Sequence, residues 1–207
     1  MRFRYPSNPI IMDYVSDKIY FGDNDDYHYV RAIRPIPKGE IIMIEYPEIN
    51  LFGENEVDKG LQTIKKYRET MENKLYPRSP NYIRTDMIKD VHKIIKNTDI
   101  KIKRYFEKIS KDEIEFYYAK YIYNTFEGHS FGPLTLPKIA KINHSCNPNV
   151  ELNFNQNSGQ MIIRAKHNIK RNSELFITYL MNKSIKNHKE YLYEHYGFYC
   201  SCDCNKN

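Results

Sequence analysis

A chain of 207 residues, 41% hydrophobic and 28% charged, can bury roughly 70% of its unfolded surface without disulfide or metal staples, which excludes a disordered polar tail. No apolar run approaches the roughly 18 residues of a membrane span, and the opening MRFRYPSNPIIMDYVSD has no apolar core followed by a small-residue cleavage site, so an intracellular protein of nucleus or cytoplasm, without membrane contact, is expected. The net charge of +6 permits an acidic partner such as DNA or a nucleosome surface, although a solvated lysine-rich surface would give the same value.

Residues 1–50 read as β-structure. Lys18 to Phe21 is a short strand, Gly22 to Asp26 a turn and Tyr27 to Ile33 a second strand. The turn Arg34-Pro35-Ile36-Pro37-Lys38-Gly39-Glu40 leads to a third strand, Ile41 to Tyr46, rich in β-branched residues and ended by Pro47. Residues 51–123 change to three- and four-residue apolar steps. Val57, Leu61, Ile64, Met71 and Leu75 define one helix, and Thr85 caps another through Ile88, Val91 and Ile95. Ile102, Tyr105, Phe106 and Ile109 mark a third. Ser110 and Glu113 form a capping box for a fourth, through Ile114, Tyr117, Tyr118, Tyr121 and Ile122.

From residue 124 the pattern returns to strands and turns. Glu127 to Pro133 is a loop, and the apolar-rich run Leu134 to Ile142 enters Asn143-His144-Ser145-Cys146-Asn147-Pro148-Asn149. Val150 to Asn155 alternates strictly, Asn157-Ser158-Gly159 turns, and Met161 to Ala165 pairs back as a hairpin. Leu175 to Leu180 is a further strand. Ser184 caps a last helix through Ile185, Tyr191, Leu192 and His195, and Gly197 stops it. The layout is α+β, mainly β: one unit comprising strands (1–50), a helical insert (51–123), a strand-rich core (124–183) and a final helix with its tail (184–207).

Two features carry chemistry. The loop 143–149 concentrates small, polar and metal-binding side chains, and Pro148 biases Asn147 away from helix. Burying such a loop requires a partner for each polar group, so it reads as a built site rather than an exposed asparagine-rich turn. The four cysteines are Cys146 in this loop and Cys200, Cys202 and Cys204 at the C-terminus. Alternate cysteines do not readily bridge one another. Four thiolates are the usual complement of a structural zinc, which would tie the tail to the loop; four free thiols are the alternative.

In order, these pieces resemble a SET-domain protein methyltransferase. NHSCNPN is followed by Arg164 to Leu175, similar to the family's R-A-x-x-x-I-x-x-G-E-E-L, then by Phe176-Ile177-Thr178-Tyr179, similar to its tyrosine-ending strand. Tyr196 to Cys202 resembles the cysteine-containing post-SET tail, and Val30 to Glu40 the opening strands and turn. The nearest likeness is to the SMYD-like subgroup, with Asn124-Thr125-Phe126 matched and the cysteine-rich MYND finger absent.

The resemblance implies a SET fold of small curved sheets and methyl transfer from S-adenosylmethionine to a lysine ε-amine of a protein substrate, histone or non-histone. Tyr179 would be the catalytic tyrosine. Asn143, His144, Asn124, Phe198 and the backbone at His28 would hold the cofactor, and Phe126 and Tyr196 would wall the lysine channel. Cys146, Cys200, Cys202 and Cys204 would bind zinc. Two departures stand out: the tail runs C-x-C-x-C where the family has C-x-C-x-x-C, and His28 and Tyr29 occupy positions where the family carries glycine. Two other classes stay open: a catalytically inactive SET-like module that binds a peptide, and a zinc-containing nucleic-acid-binding protein motivated by the positive charge.

Overall fold

The computed structural model describes residues 12–23, 28–47, 49–50, 61–62, 64–66, 68, 100–127, 133–180 and 187–201. Among the described residues the framework is four small sheets. Strands β1 (Tyr14–Val15), β4 (Ile41–Glu45), β9 (Val150–Asn155) and β10 (Gln160–Ala165) form an antiparallel sheet in the order β1-β4-β10-β9. Strands β2 (Ile19–Asp23) and β3 (His28–Ala32) form a hairpin, and β5 (Ile49–Asn50), β7 (Pro133–Thr135) and β6 (Thr125–Glu127) a three-stranded sheet. The shortest sheet is parallel: β8 (Asn143–His144) beside β11 (Phe176–Ile177).

The core lies where these sheets turn their apolar faces together. Val30, Ala32, Ile42, Met43, Ile139, Ile142, Val150, Ile163, Leu175 and Ile177 are all buried there. Alternation selects the buried residues: in β10, Met161, Ile163 and Ala165 face inward while Gln160, Ile162 and Arg164 are only half-buried. Burial of one such aliphatic side chain contributes about 1.5–3 kcal/mol.

Two segments expected as separate turns lie side by side. Ile36 and Ile169 exchange both backbone hydrogen bonds, at 2.9 and 2.8 Å. The Leu175 N–H donates to the Val30 carbonyl at 2.7 Å, and the Ala32 N–H to Ser173 at 2.9 Å. The N-terminal strands are thereby fastened to the segment that delivers Tyr179.

Of the expected helices, α1 (Ile100–Phe106) ends earlier than its apolar steps suggest, and α2 (Lys111–Tyr123) starts as expected, with Ser110 Oγ accepting the Glu113 N–H at 3.3 Å. Leu61 and Ile64 are helical and fully buried. Val57, Met71 and Leu75 of that helix, and all of the one expected from Thr85, lie outside the described residues.

The last helix differs from expectation. Helix α3 (His188–Tyr196) is capped by Asn187, whose Oδ1 accepts the Glu190 N–H at 3.2 Å. Ser184 and Ile185, expected to open it, lie outside the described residues. Asn187-x-x-Glu190 is the better capping box, because the Asn187 amide also donates to the Glu190 carboxylate. Gly197 ends the helix at φ 76°, as expected.

The strand expected over Leu175 to Leu180 forms ladder pairs only at Phe176 and Ile177.

Candidate active site

The loop 143–149 is set in place from both ends. Before it, Ile139–Lys141 makes a single 3₁₀ turn whose leading N–H groups are captured by a buried carboxylate. Glu45 is fully buried, and its two oxygens accept the N–H groups of Lys138 and Ile139, each at 2.8 Å. Burial pushes this carboxyl up to about 7, although both backbone donors and the Lys138 ammonium favour its ionised form. After it, Asn149 closes the loop onto β11: its Nδ2 donates to the Glu174 carbonyl and its Oδ1 accepts the Phe176 N–H, both at 2.8 Å. A side-chain amide used in both directions copies a strand pairing. Ser145 N–H adds a bond to the Ile177 carbonyl at 2.9 Å.

Asn143 has a structural task. Its Nδ2 donates to the His28 carbonyl at 2.7 Å and to Glu174 Oε1 at 2.8 Å, tying the loop to β3 and to the turn before β11. An amide has two N–H donors, so both are spent within the protein. The expected cofactor contact through this amide nitrogen has no donor left; a contact by main chain or by Oδ1 does not depend on them.

His144 and Tyr179 lock one another. The Tyr179 backbone N–H donates to His144 Nδ1 at 2.9 Å, and the Tyr179 hydroxyl donates to the Ile142 carbonyl at 2.9 Å. A ring nitrogen that accepts an amide proton is unprotonated, so the neutral ring carries its hydrogen on Nε2. Burial, with His188 nearby, holds His144 down at about 4, so it stays neutral at pH 7.

Around this pair stand two aromatic rings from the C-terminal segment. Tyr196 lies 4.8 Å from Tyr179 between centroids, and Phe198 lies 6.2 Å from Tyr179 and 6.0 Å from His144. Burial pushes the Tyr196 phenol up to about 12, so it stays protonated. Four of the residues singled out by sequence, His144, Tyr179, Tyr196 and Phe198, thus form one cluster.

The other expected residues occupy different settings. Asn124 is buried as the C-cap of α2, donating to the Lys120 carbonyl at 2.7 Å. Phe126 pairs with Leu134 across β6 and β7 and packs on the central core. His28 sits at the start of β3, its carbonyl held by Asn143 and its Nε2 3.3 Å from the Ala140 carbonyl. Beside it, Tyr29 takes its room from Gly22 across the hairpin: a Cβ on Gly22 would meet the Tyr29 ring at 2.0 Å. The bulk that replaces the family's glycine is therefore accommodated by a glycine in the facing strand.

The cysteine cluster is partly as expected. Cys146 Sγ lies 3.9 Å from Cys200 Sγ, which brings the C-terminal segment against the loop. His144 Nε2 is 3.3 Å from the Cys146 sulfur, and these three donor atoms lie within 4.8 Å of one another, a grouping suited to a soft divalent metal. Cys202 and Cys204 lie outside the described residues. One expectation needs correction. Cys146 is a free thiol, but Cys200 is disulfide-bonded, so bridging at the tail is possible after all and this sulfur binds metal only when reduced.

Comparison with known proteins places this architecture. The SET domain family model matches residues 28–180, well over half of the chain. A SET domain-containing protein of Acanthamoeba polyphaga mimivirus is 31% identical over 183 residues, covering 83% of this chain and 71% of that protein. The chain belongs to the SET domain family. It is also similar to the human histone-lysine N-methyltransferase SMYD3, 34% identical over 91 residues, though the match spans 41% of this chain and only 21% of SMYD3. Among solved structures, Rubisco LSMT bound to AdoMet superimposes with a TM-score of 0.56 at 12% identity, covering 89% of this chain and 52% of that one; this likeness is one of fold.

Sequence reasoning missed Glu45 and His188. Glu45 closes a strand of consecutive apolar residues, and nothing local marks it as the cap for a turn 93 positions later. His188 stands 42 positions from Cys146, yet its Nδ1 lies 3.9 Å from that sulfur.

Proposed function

We propose that this protein is a protein-lysine N-methyltransferase that uses S-adenosylmethionine, with Tyr179 as its catalytic residue. The observation that carries the reading is the double anchoring of Tyr179, by its backbone to His144 and by its hydroxyl to Ile142, within a ring cluster built from both halves of the site. Family membership and the lysine methyltransferase activity named for SMYD3 support it. The donor set suits the cofactor in one respect: the faces of Phe198 and His144 could receive a flat purine, where stacking contributes about 0.5–1.5 kcal/mol beyond area burial.

The cofactor supplies a methyl group on a positively charged sulfur. The chain's own task is orientation. A phenol that donates its proton to a carbonyl keeps its oxygen lone pairs as acceptors. Tyr179 would therefore accept a hydrogen from the substrate amine and aim the nitrogen lone pair at the methyl carbon, a positioning effect worth several kcal/mol. His144 is not the base, since one ring nitrogen accepts an amide proton and the other carries hydrogen. The amine thus arrives already neutral. The structural zinc would order the C-terminal segment that carries Tyr196 and Phe198. The substrate would be a protein lysine, on a histone or elsewhere, with the basic surface available to a nucleosome.

The test is transfer of a labelled methyl group from S-adenosylmethionine to histones or cell extract. Tyr179→Phe should lower turnover roughly 100-fold with little change in cofactor affinity. Equal rates in wild type and variant would remove Tyr179 from the chemistry.

The second reading, a SET-like peptide-binding module without activity, is favoured by the two spent donors of Asn143 and by Tyr29 in place of a glycine. Calorimetry separates the two: no binding of S-adenosylmethionine, with peptide still bound, would select the module.

A further inference from the structure

The positive charge of the chain is concentrated rather than spread. Residues 33–40 and 166–172 are two turns that together hold five Lys or Arg against one Glu, a net +4 of the chain's +6. They run antiparallel and are fastened at three points. The Asn172 N–H donates to the Ala32 carbonyl at 2.7 Å, Ile36 and Ile169 bond each other, and the Gly39 N–H donates to the Ala165 carbonyl at 2.8 Å. The Lys38 N–H also donates to Asn168 Oδ1 at 2.8 Å. This course sets Arg34 alongside the segment of Lys170 and Arg171, and Lys38 alongside the segment of Lys166 and His167. Lys38, Lys170 and Arg171 are exposed and Lys166 is half-buried, and none of the four forms an ion pair among the described residues. The one carboxylate, Glu40, is taken by Lys18 at 2.7 Å, and Arg34 meets Asp17 at 2.9 Å in an exposed pair of the weakly held kind. Like charges side by side across paired backbone repel one another, so an incoming anion relieves a strain that the fold itself imposes.

We propose that these two turns form a binding surface for the phosphate backbone of duplex DNA, through Arg34, Lys38, Lys166, Lys170 and Arg171 and without base readout. The surface does not depend on the methyltransferase reading. From Ala32 to Gly39 the strip extends at most about 23 Å, and a duplex carries one negative charge per ~1.7 Å of axis, so each cation can meet its own phosphate. Neither turn contains Phe, Tyr or Trp. Single strands are held by stacking their bases on such rings, whereas phosphate contacts to a duplex need none. The frame is also stiff, with Pro35 and Pro37 in one turn and three fastenings to the other. A stiff frame suits a rigid polyanion better than a flexible acidic peptide, whose ordering on binding is an added cost.

The experiment is fluorescence anisotropy of a short fluorescein-labelled DNA duplex with the full chain, titrated between roughly 50 and 200 mM salt. Each phosphate neutralised adds about −0.9 to the slope of log K against log salt, so five contacts should give about −4.5. Lys170→Gln combined with Arg171→Gln should weaken binding roughly tenfold or more at the low-salt end and bring the slope to about −2.7. Its urea midpoint should be no lower than that of wild type, since a repulsion has been removed. Lys103→Gln combined with Arg104→Gln on α1 removes the same net charge and should bind within about twofold of wild type. The proposal is overturned if wild type does not bind the duplex at about 50 mM salt, or if the α1 pair weakens binding as much as the turn pair. Tighter binding of single-stranded DNA or of poly-glutamate than of the duplex would overturn it as well.

Discussion

Asn172 stands with φ at 68°, in the left-handed region, where the family pattern places glycine. The turn is fixed because the Asn172 N–H donates to the Ala32 carbonyl at 2.7 Å, part of the seam joining β3 to the segment before Tyr179. Asparagine tolerates this conformation better than other residues with a Cβ, and a less tolerant residue costs about 1–2 kcal/mol there. Asn172→Ala should therefore lower stability by about 1 kcal/mol in urea unfolding, while Asn172→Gly should equal or exceed wild type. An alanine variant as stable as wild type would mean that the turn relaxes. Single residues of this kind were legible in the sequence wherever a motif fixed their backbone. Tyr179, His144 and Phe198 were legible as members of a pattern, but the pattern is silent on hydrogen-bond partners. The same letters imply a cofactor contact at Asn143 but do not reveal that its side-chain N–H donors join His28 and Glu174.

At the scale of elements, the 3₁₀ turn before the NHSC loop depends on a carboxylate from another strand. Glu45→Ala would leave the Lys138 and Ile139 N–H groups without their acceptor, at about 1–3 kcal/mol for the buried Ile139 donor and less for the half-buried Lys138 one, so a loss of about 2 kcal/mol is expected in urea unfolding. The acid itself makes stability pH-dependent. Its folded value is raised to about 7, so the folded chain holds this proton more tightly than the unfolded chain, where a glutamate titrates near ~4.3. Its contribution is complete below about pH 4.3 and is lost as pH rises through about 7. Wild type should lose stability between pH 5 and pH 8 through this group, and Glu45→Gln should remove that component; an unchanged pH slope in the variant would exclude Glu45 as its source. Strands β9 and β10 were legible to within a residue or two because buried and outward residues alternate along them, and β4 as a run of β-branched residues, although its neighbours Ile42 and Met43 are both buried. The two-residue strands β1, β5, β8 and β11 were not: they are defined by partners distant in the chain, and no local periodicity accompanies them.

For the whole molecule, the site is built from distant halves. The loop and β11 bring His144 and Tyr179, and the end of the chain brings Tyr196 and Phe198. The order of motifs announced that convergence, whereas its geometry came only from tertiary packing. Besides the ring contacts themselves, Cys146 meets Cys200, two residues beyond Phe198. Removing the Cys146 sulfur should therefore release the Phe198 face much as removing the tail would. Under the methyltransferase reading, calorimetry with S-adenosylmethionine should show Cys146→Ser binding up to about tenfold more weakly, the equivalent of one aromatic contact of about 0.5–1.5 kcal/mol. Deletion of Cys200 to Asn207 should give a loss of similar size. Combining the two should add almost nothing, because both remove the same link and coupled changes are not additive. If Cys146→Ser binds cofactor as wild type does while the truncated chain does not, the tail orders the Phe198 face through contacts other than the Cys146–Cys200 junction; if both bind as wild type does, α3 and its cap suffice.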